Sequence, residues 1–284
     1  MKMLGVIANC AKERASAAVS RLRVKADALG LRLLTDSNTA TLMNMTSTWS
    51  PREVVQQADT VMVLGGDGSL LRVVRELDGR DVPVIGVNLG SLGFMTSVTE
   101  NDLERALDCL VRNDFTTSLR SMLDCSVVRQ GRDVGSFRAL NDVVIVCGAR
   151  VGTLRLSVEG QEVGDCVCDG LIVSTPTGST GHSLSAGGPV LMPTSPAMVV
   201  TLICPHTLSI RPLVLSSHST VEVSVVERAV GSNLSVDGQV GQSLEIGDRV
   251  RILQSHASVR LIHLPGYDYF AVLRQKLHWR GSNV

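Results

Sequence analysis

The residues best suited to chemistry in this sequence lie in two glycine-rich segments. The first is Gly65-Gly66-Asp67-Gly68-Ser69, which directly follows the apolar run 61–64. Glycine lets the backbone approach a bulky anion and adopt positive φ, and a helix start offers N–H groups and a positive dipole end. Asp67 could then accept a proton from a hydroxyl or hold a metal ion through water. Asp-Gly also forms ordinary tight turns, but three glycines around one carboxylate favour a phosphate site.

The second segment, Asp169–Pro189, combines glycines and Ser/Thr residues with one carboxylate. Buried hydroxyls and bare backbone need hydrogen-bond partners, so such a segment is poor core material. It suits the wall of a polar, phosphate-rich ligand. His182 interrupts this wall, and a His in so polar a loop indicates a ligand contact. Together, the two segments predict phosphoryl transfer on a nucleotide.

Three further groups carry weaker signals. Asn141-Asp142 precedes an apolar run and could bind the two hydroxyls of a ribose, although taken alone an Asx turn explains it better. Asp237-Gly238-Gln239 has the same ambiguity, because Asp-Gly is also a hairpin turn. Arg72, Arg75 and Arg211 are candidates for contacting donor phosphates, although exposed arginines are usually only solvated.

Composition restricts the class of protein. A chain of 284 residues with 44% apolar content can form two domains, and its formal net charge of zero excludes a globally basic nucleic-acid surface. The seven cysteines are an odd number in mostly apolar runs, which indicates reduced, buried thiols in a cytoplasmic protein. Cys166-Val167-Cys168 lacks a second pair, so we predict no direct metal ligand. The apolar windows 3–8 and 197–204 are too short for a secretion signal or a membrane span.

The elements that must position Asp67 are indicated by alternating strand-like and helix-like segments. Strands are predicted at 3–8, 31–34, 60–64 and 83–87, and helices at 15–29, at 70–77 and after Thr99. Helix-separated strands imply a parallel sheet, whose ligands sit beyond the carboxyl ends of the strands. Both the Asp67 turn and the loop 88–94 leave strands at that edge.

The pattern changes at about residue 122 to runs of period two. These runs, at 154–158, 161–167, 221–225, 234–237 and 250–252, are separated by turn residues and predict antiparallel strands. We therefore predict an α/β N-terminal domain with a Rossmann-like parallel sheet over 1–119, joined by a helical tail at 266–284. An all-β sandwich domain is predicted over 120–265.

These motifs occur in the order found in the NAD kinase family. The matching segments are Gly65–Ser69, 88–94, Asn141-Asp142, Asp169–Pro189, Leu208–Pro212, Asp237–Gln239 and the tail Val272–Trp279. The sequence thus resembles bacterial-type NAD kinases over nearly its whole length. The glycine turn alone is weak evidence, since lipid kinases and phosphofructokinases have a similar one, whereas Asp169–Pro189 is specific.

The resemblance implies an enzyme that transfers the γ-phosphoryl group of ATP, with Mg²⁺, to the adenosine 2′-hydroxyl of NAD. It also implies that NAD binds in the cleft and at subunit interfaces of a homodimer or homotetramer, in the cytoplasm, with no nucleic-acid or membrane partner. Asp67 would activate the hydroxyl. The implied NAD-binding residues are Gly68, Phe94, Asn141, Asp142, Asp169, Thr177, Thr180, Gly181, His182, Ser185, Asp237 and Gln239. The implied ATP and phosphate contacts are Gly65, Gly66, Ser69 and Arg72.

Within that set, the resemblance assigns the ribose to Asn141 and Asp142, and the nicotinamide end to Asp169 and Asp237. Phe94 would pack near the adenine, and Thr180 and Ser185 would contact the base. Three positions depart from the family pattern: Asp142 replaces the usual Glu, His182 a common Tyr, and Val167 a basic residue of some members.

Two alternatives remain at this level. A lipid or sugar kinase could share the glycine turn, but no strongly amphipathic basic helix for membrane docking is evident. A non-catalytic dinucleotide-binding sensor would keep the hydroxyl-rich wall without needing Asp67. The presence of Asp67 favours catalysis.

Overall fold

The computed structural model describes residues 3–148, 151–207, 209–226, 229 and 231–279. They form two compact units, one made of the chain up to residue 119 and from 259 onwards, the other of residues 120–258. The sequence placed the second boundary at 265 rather than 258. The difference arises because one long strand, Arg249–His263, runs through this boundary, and its Leu261 pairs with Val84 of the first unit.

In chain order, the strands are β1 Met3–Ala8, β2 Arg32–Thr35, β3 Thr60–Gly65, β4 Val84–Asn88, β5 Val98–Thr99, β6 Thr116–Arg129, β7 Arg132–Ala139, β8 Asp142–Val146, β9 Gly152–Val158, β10 Gln161–Cys168, β11 Gly170–Ser174, β12 Ala197–Ile203, β13 Leu213–Ser216, β14 Val221–Val225, β15 Asn233–Val236, β16 Val240–Ser243 and β17 Arg249–His263. The helices are α1 Ala15–Ala28, α2 Ser37–Leu42, α3 Pro51–Gln57, α4 Asp67–Leu77, α5 Leu103–Arg112, α6 His182–Ser185 and α7 Tyr269–Lys276. Short 3₁₀ turns cover Glu100–Asp102 and Gly178–Thr180.

The first unit is built on four parallel strands in the order β2-β1-β3-β4, as the alternating pattern predicted. The chain steps outwards in one direction from β1 to β2 and in the other from β3 to β4. The strand order therefore reverses between β1 and β3, and in open α/β sheets ligands bind beyond the carboxyl ends of the strands at such a reversal. The Asp67 turn leaves β3 at this point.

Helices pack against this sheet through apolar residues that recur at helical spacing. In α1 the buried positions are Ala15, Ala18, Val19, Leu22 and Ala26, which is the stripe that the sequence predicted. α4 likewise buries Leu70, Leu71, Val73, Val74 and Leu77. Val272 and Leu273 of α7 are also buried, so the tail helix belongs to the core of the first unit, as predicted.

The second unit contains two antiparallel sheets. One joins β10, β9, β14 and β17 to β6 and β7, and the other has the order β13-β12-β11-β8-β15-β16. One cluster of buried apolar side chains takes members from both sheets, including Leu156 of β9 and Val173 of β11. The unit is therefore a β-sandwich. Five of the seven cysteines are buried as expected, whereas Cys10 and Cys204 are exposed.

Two helices of the first unit were not predicted. α2 has only six residues and α3 seven, which is too short for a clear hydrophobic period. The start of α3 nevertheless carries a local signal, because Ser50 and Glu53 form a capping box around Pro51. Among the described residues, no helix has both the length and the apolar character needed to cross a bilayer.

Candidate functional site

The glycine turn and the end of β1 meet where the strand order reverses. The backbone N–H of Asn9, just after β1, donates to the carbonyl of Leu64 at 2.8 Å. The side-chain amide of Asn9 donates to the Ser69 hydroxyl at 3.3 Å. Gly66 is the N-cap of α4, and its carbonyl accepts from the Ser69 N–H at 2.9 Å. The positive end of an eleven-residue helix therefore lies at this edge of the sheet.

The three glycines of this turn serve different purposes. The expectation of positive φ was wrong, since none of Gly65, Gly66 and Gly68 has it. A Cβ atom on Gly65 would lie 2.4 Å from the Ser69 hydroxyl oxygen, so packing excludes any side chain there. A Cβ atom on Gly66 or Gly68 would meet nothing within 4 Å. The fold does not need these two glycines, whereas a ligand lying against bare backbone would.

Asp67, the predicted catalytic carboxylate, is held by a loop. It accepts hydrogen bonds from the N–H groups of Phe94 at 2.8 Å, Met95 at 3.2 Å and Thr96 at 3.0 Å. The Thr96 hydroxyl donates to it at 2.9 Å. A Cβ atom on Gly93 would lie 2.1 Å from Asp67 Oδ1, so the loop can only close this tightly with glycine there. These bonds fix the position of the carboxylate, with three donors at Oδ1 and one at Oδ2.

The predicted phosphate contacts Gly65, Gly66 and Ser69 share this turn, and Arg72 is exposed on the following turn of α4. Arg211 belongs to the second unit, where its guanidinium donates to the carbonyl of Ile210 at 3.0 Å. Leu208 of the same motif lies outside the described residues. Phe94, on the loop that holds Asp67, is half-buried, and the ammonium of Lys276 lies 5.5 Å from its ring centroid.

In the second unit, Asp237 organises the segment that carries Asn141 and Asp142. Its carboxylate accepts from the N–H groups of Leu140 at 2.9 Å, Asn141 at 2.7 Å and Asp142 at 3.1 Å. These bonds orient the two residues expected to hold the ribose. The assignment of Asp237 to the nicotinamide end of the ligand, which the resemblance implies, stays a prediction.

The Asp237–Gln239 segment is also the hairpin turn that the sequence left open. Asp237 and Gly238 have φ values of +53° and +65°, and Val236 pairs with Val240 across the turn. Gln239 is exposed, and its N–H donates to the carbonyl of Val236 at 3.0 Å.

Unsatisfied polar atoms converge beside this hairpin. The side-chain oxygens of Asn141 (Oδ1) and Thr177 (Oγ1) are buried without a hydrogen-bond partner among the described residues. A Cβ atom on Gly181 would lie 4.0 Å from both Asn141 Nδ2 and Asp142 Oδ2, so these two side chains face the same turn. Buried polar atoms normally have partners, so these two oxygens are candidates for hydrogen bonds to a polar ligand.

Asp142 carries the most perturbed carboxyl group of this region. Its side chain is 5% exposed. Burial raises the pKa of Asp142 from 3.8 to about 7, and the nearby negative charge of Asp237 raises it further in the same direction. A carboxylate in this position gains strongly from hydroxyl donors, which would restore the ionised form.

The hydroxyl-rich segment is less exposed than the sequence suggested. Four of its hydroxyls are buried and bonded within the fold: Ser174 to the carbonyl of Thr175, Thr175 to that of Leu140, Ser179 to that of Pro176, and Ser183 to the Thr201 hydroxyl. The expectation that this segment is mainly a ligand wall was therefore wrong for these residues.

Other residues of the same segment remain candidates for ligand contacts. Thr180 is half-buried and donates to the carbonyl of Thr177 at 3.2 Å, while Asp169, His182 and Ser185 are exposed.

No group of three or more His, Cys, Asp or Glu side chains suited to a metal ion occurs in the described part of the chain. Mg²⁺, however, is commonly bound by one or two carboxylates together with substrate phosphates and water. Asp67 in the glycine turn meets that requirement, so the residues present fit Mg²⁺ delivered with a nucleotide.

Sequence reasoning missed two residues at this edge. Asn9 directly follows β1 and Asp36 directly follows β2, so each is the first polar group beyond a parallel strand. That position was itself a usable signal, because ligands gather beyond the carboxyl ends of such strands. Thr96 was also missed, and its role depends on a loop closure that no local pattern reveals.

Comparisons with known proteins agree with this geometry. The profile of the ATP-NAD kinase N-terminal domain matches residues 7–115, and that of the ATP-NAD kinase C-terminal domain matches residues 140–264. An NAD kinase from Geobacter sulfurreducens is 40% identical over 281 residues, covering 98% of this chain and 99% of the relative. An NAD kinase from Syntrophotalea carbinolica is 46% identical over 223 residues, which is 78% of each protein.

Two solved structures share the fold. Yeast NADH kinase complexed with NADH has a TM-score of 0.91 at 22% identity, covering 100% of this chain and 89% of that one. An NAD kinase from Archaeoglobus fulgidus in complex with ATP has a TM-score of 0.77 at 24% identity, covering 98% and 100%.

Proposed function

We propose that this chain transfers the γ-phosphoryl group of ATP to the adenosine 2′-hydroxyl of NAD. It belongs to the ATP-NAD kinase family and is an NAD kinase. The Archaeoglobus relative was solved with ATP and the yeast relative with NADH, which supports these two classes of ligand. Phosphoryl transfer depends mainly on positioning and on neutralising charge, and both kinds of group are present in this chain.

The donor phosphates bind to the turn at the start of α4. Gly65, Gly66 and Ser69 offer backbone and hydroxyl groups, and Arg72 adds a positive charge. Gly66 supports this assignment, since the fold does not need a glycine there and its bare backbone leaves room for the phosphates. Mg²⁺ bound with the phosphates and Asp67 would supply neutralisation of their charge.

Asp67 accepts the proton of the attacking hydroxyl. Three of the four donors from the loop at 94–96 bond to Oδ1, whereas Oδ2 accepts only from the Phe94 N–H and keeps a lone pair for the substrate hydroxyl. We infer that Phe94, which this loop carries, contacts the adenine.

The observation that carries the assignment of NAD is the set of unsatisfied groups in the second unit. Asn141 Oδ1 and Thr177 Oγ1 lack partners that ribose hydroxyls would supply, and burial raises the pKa of the adjacent Asp142 carboxyl. The remaining NAD contacts follow from the family resemblance: Gly68, Asp169, Thr180, Gly181, His182, Ser185 and Gln239. Asp237 acts through the backbone of the Asn141-Asp142 segment.

We further propose a cytoplasmic homodimer or homotetramer. The described cysteines are free thiols, which supports a reducing compartment. The second unit exposes Val163, Val167 and Val214 to between 44% and 55%, and exposed apolar side chains of this kind support self-association.

The test is to incubate the purified protein with ATP, Mg²⁺ and NAD and to measure NADP with an NADP-specific dehydrogenase. We expect NADP to form in proportion to enzyme, and Asp67→Asn serves as the matched inactive control. Absence of NADP from NAD and of NADPH from NADH, with either ATP or polyphosphate as donor, would contradict the proposal. Sedimentation at micromolar concentration tests the oligomer.

A further inference from the structure

Asp36 is a buried carboxylate that the proposed function does not use. It directly follows β2 and is 3% exposed. Its Oδ1 atom is buried and has no hydrogen-bond partner in the described part of the chain. It also caps no helix through its side chain, although it sits at the N-cap position of α2. A buried ionisable group is costly unless it is paired, so the fold keeps Asp36 in a position that only a ligand completes.

Asp36 lies on the same edge of the sheet as the phosphate turn. β2 is parallel to β1, and β1 to β3, so Asp36, Asn9 and the Gly65–Ser69 turn all follow carboxyl ends. Neighbouring strands are about 4.8 Å apart, which places Asp36 roughly 10 Å from the turn. A nucleoside triphosphate spans this separation between its terminal phosphates and its ribose.

The charges along this edge support the same orientation. Burial raises the pKa of the Cys10 thiol, the charge of Asp36 raises it further, and that of Arg72 lowers it. Both charged groups therefore act on the thiol of Cys10, which follows β1. Arg72 provides the positive charge on the phosphate side, while the negative charge of Asp36 repels phosphates from its own side.

We propose that the Asp36 carboxylate accepts hydrogen bonds from the ribose hydroxyls of the nucleotide that donates the phosphoryl group. This rests on the proposed function, in which ATP phosphates bind at Gly65–Ser69. Two adjacent hydroxyl donors match the two acceptor oxygens of one carboxylate. A divalent cation held by protein side chains alone is a poorer match, because no group of three or more His, Cys, Asp or Glu side chains includes Asp36 among the described residues.

A cavity next to Asp36 offers space for the attached base. It has a volume of about 400 Å³ and is lined by Leu33–Thr35 and Met45–Trp49. Thr35, which directly precedes Asp36 in the chain, lines the cavity. Trp49 lines it and is one of only two tryptophans in the chain, the other being Trp279. A base in the cavity would therefore change Trp49 fluorescence.

The experiment measures binding to the full-length chain carrying Trp279→Phe, with Trp49 as the reporter and calorimetry as a second readout. The ligands are ATP, 2′,3′-dideoxy-ATP and inorganic tripolyphosphate, each with Mg²⁺. Hydrogen bonds to a charged group contribute about 1.5–3 kcal/mol, so ATP should bind roughly 10- to 100-fold more tightly than the dideoxy analogue. In Asp36→Ala this preference should fall to within about threefold, while tripolyphosphate binding stays unchanged.

Asp27→Ala is the matched control, since Asp27 is an exposed acid of the same unit and should leave the preference intact. If Asp36→Ala does not fold, Asp36→Asn replaces it, because the neutral amide keeps the volume and should lose most of the preference. The proposal is overturned if Asp36→Ala still binds ATP more tightly than the dideoxy analogue to the same degree, or if it binds all three ligands more weakly by the same factor. If the protein prefers ATP over the dideoxy analogue but forms no NADP, only the proposed function is contradicted.

Discussion

Three aspartates show how neighbouring atoms decide what one residue type does. Asp67 accepts from four donors of the loop at 94–96, three of them at Oδ1. Asp237 accepts from three backbone N–H groups, which it orients. Asp142 is buried, and burial raises its pKa to about 7. The first suits proton acceptance at Oδ2, the second positioning, and the third ligand-dependent ionisation.

Replacing Asp67 with Asn should abolish most turnover. The amide cannot serve as a base, and its Nδ2 group would face N–H donors of the loop, which costs about 1–3 kcal/mol of folding stability. NAD affinity should stay within about tenfold, because the residues proposed to bind NAD are unchanged. Steady-state kcat and calorimetric NAD binding check this. A variant with near-normal kcat would show that Asp67 is not the base.

Asp142 makes stability depend on pH. Its folded-state pKa of about 7 lies above the ordinary value of 3.8. Protonated Asp142 therefore contributes to the free energy of unfolding, and this contribution is fully present below pH 3.8 and is lost as pH rises through 7. Asp142→Asn should therefore match the wild type near pH 4 and exceed it at pH 8.5 by roughly 2–4 kcal/mol. Urea unfolding without ligand at both pH values measures this.

The exposed Asp169→Asn variant should show no such pH-dependent gain and is the control. An equal stability difference at both pH values for Asp142→Asn would mean that Asp142 does not titrate in this range. Asp142→Asn should also bind NAD more weakly, because the amide can no longer offer two anionic acceptors.

At the scale of elements, a substitution at the start of α4 should have opposite effects on folding stability and on substrate binding. Gly68 is helical, exposed and has room for a Cβ atom, so Gly68→Ala should stabilise the protein by about 0.5–1 kcal/mol. The added methyl group should raise the KM for a substrate at least tenfold, since the ligand lies against bare backbone. Thermal unfolding and steady-state kinetics measure both effects.

Ser16→Ala, in the exposed first turn of α1, is the matched helix control and should change stability slightly without changing KM. If Gly68→Ala keeps a normal KM for both substrates, no ligand approaches this backbone closely. If it destabilises the protein, the glycine serves the fold after all.

The sequence predicted the elements with a regular apolar pattern and missed others, among them the long strands β6 and β7 and most of β17. α1, α4 and the strands β1 to β4, β9, β10 and β14 follow from that pattern. The short α2 and α3 have too few residues for a period, and α3 is recognisable only from its cap. The predicted helix 70–77 actually starts at Asp67, because the glycine turn itself supplies its first turn.

Only part of the candidate site could be predicted from the sequence, for a related reason. The residue types of the Asp67 turn and of Asn141-Asp142 indicate polar ligands by themselves. The groups that position these residues could not be predicted, because the Asp67 loop and the Asp237 hairpin act through bonds between residues far apart in the chain. Two buried hydroxyls of 174–183 were misjudged for the same reason, since the Leu140 carbonyl that accepts from Thr175 and the Thr201 hydroxyl bonded to Ser183 are brought near only by the fold.

At the scale of the whole molecule, the first unit is assembled from both ends of the chain. Ile262 and Leu264 belong to the same buried cluster as Leu4 and Leu64, and α7 adds Val272 and Leu273. Residues 1–119 alone therefore lack part of their own core. We expect the first unit to become stable only when the C-terminal segment has been added.

Ending the chain at Gly266 removes α7 but keeps β17 and the core residues Ile262 and Leu264. The loss of two buried side chains, at about 1.5–3 kcal/mol each, should destabilise the first unit by roughly 3–5 kcal/mol. The contact of Lys276 with Phe94 is lost as well, so the loop at Asp67 should become more mobile. A chain ending at Trp279 is the control, because it keeps all of α7. Urea unfolding, with hydrogen exchange of the Thr96 amide as a local readout, separates the two effects, and a Gly266 chain as stable as the control would show that α7 is not part of the folding unit.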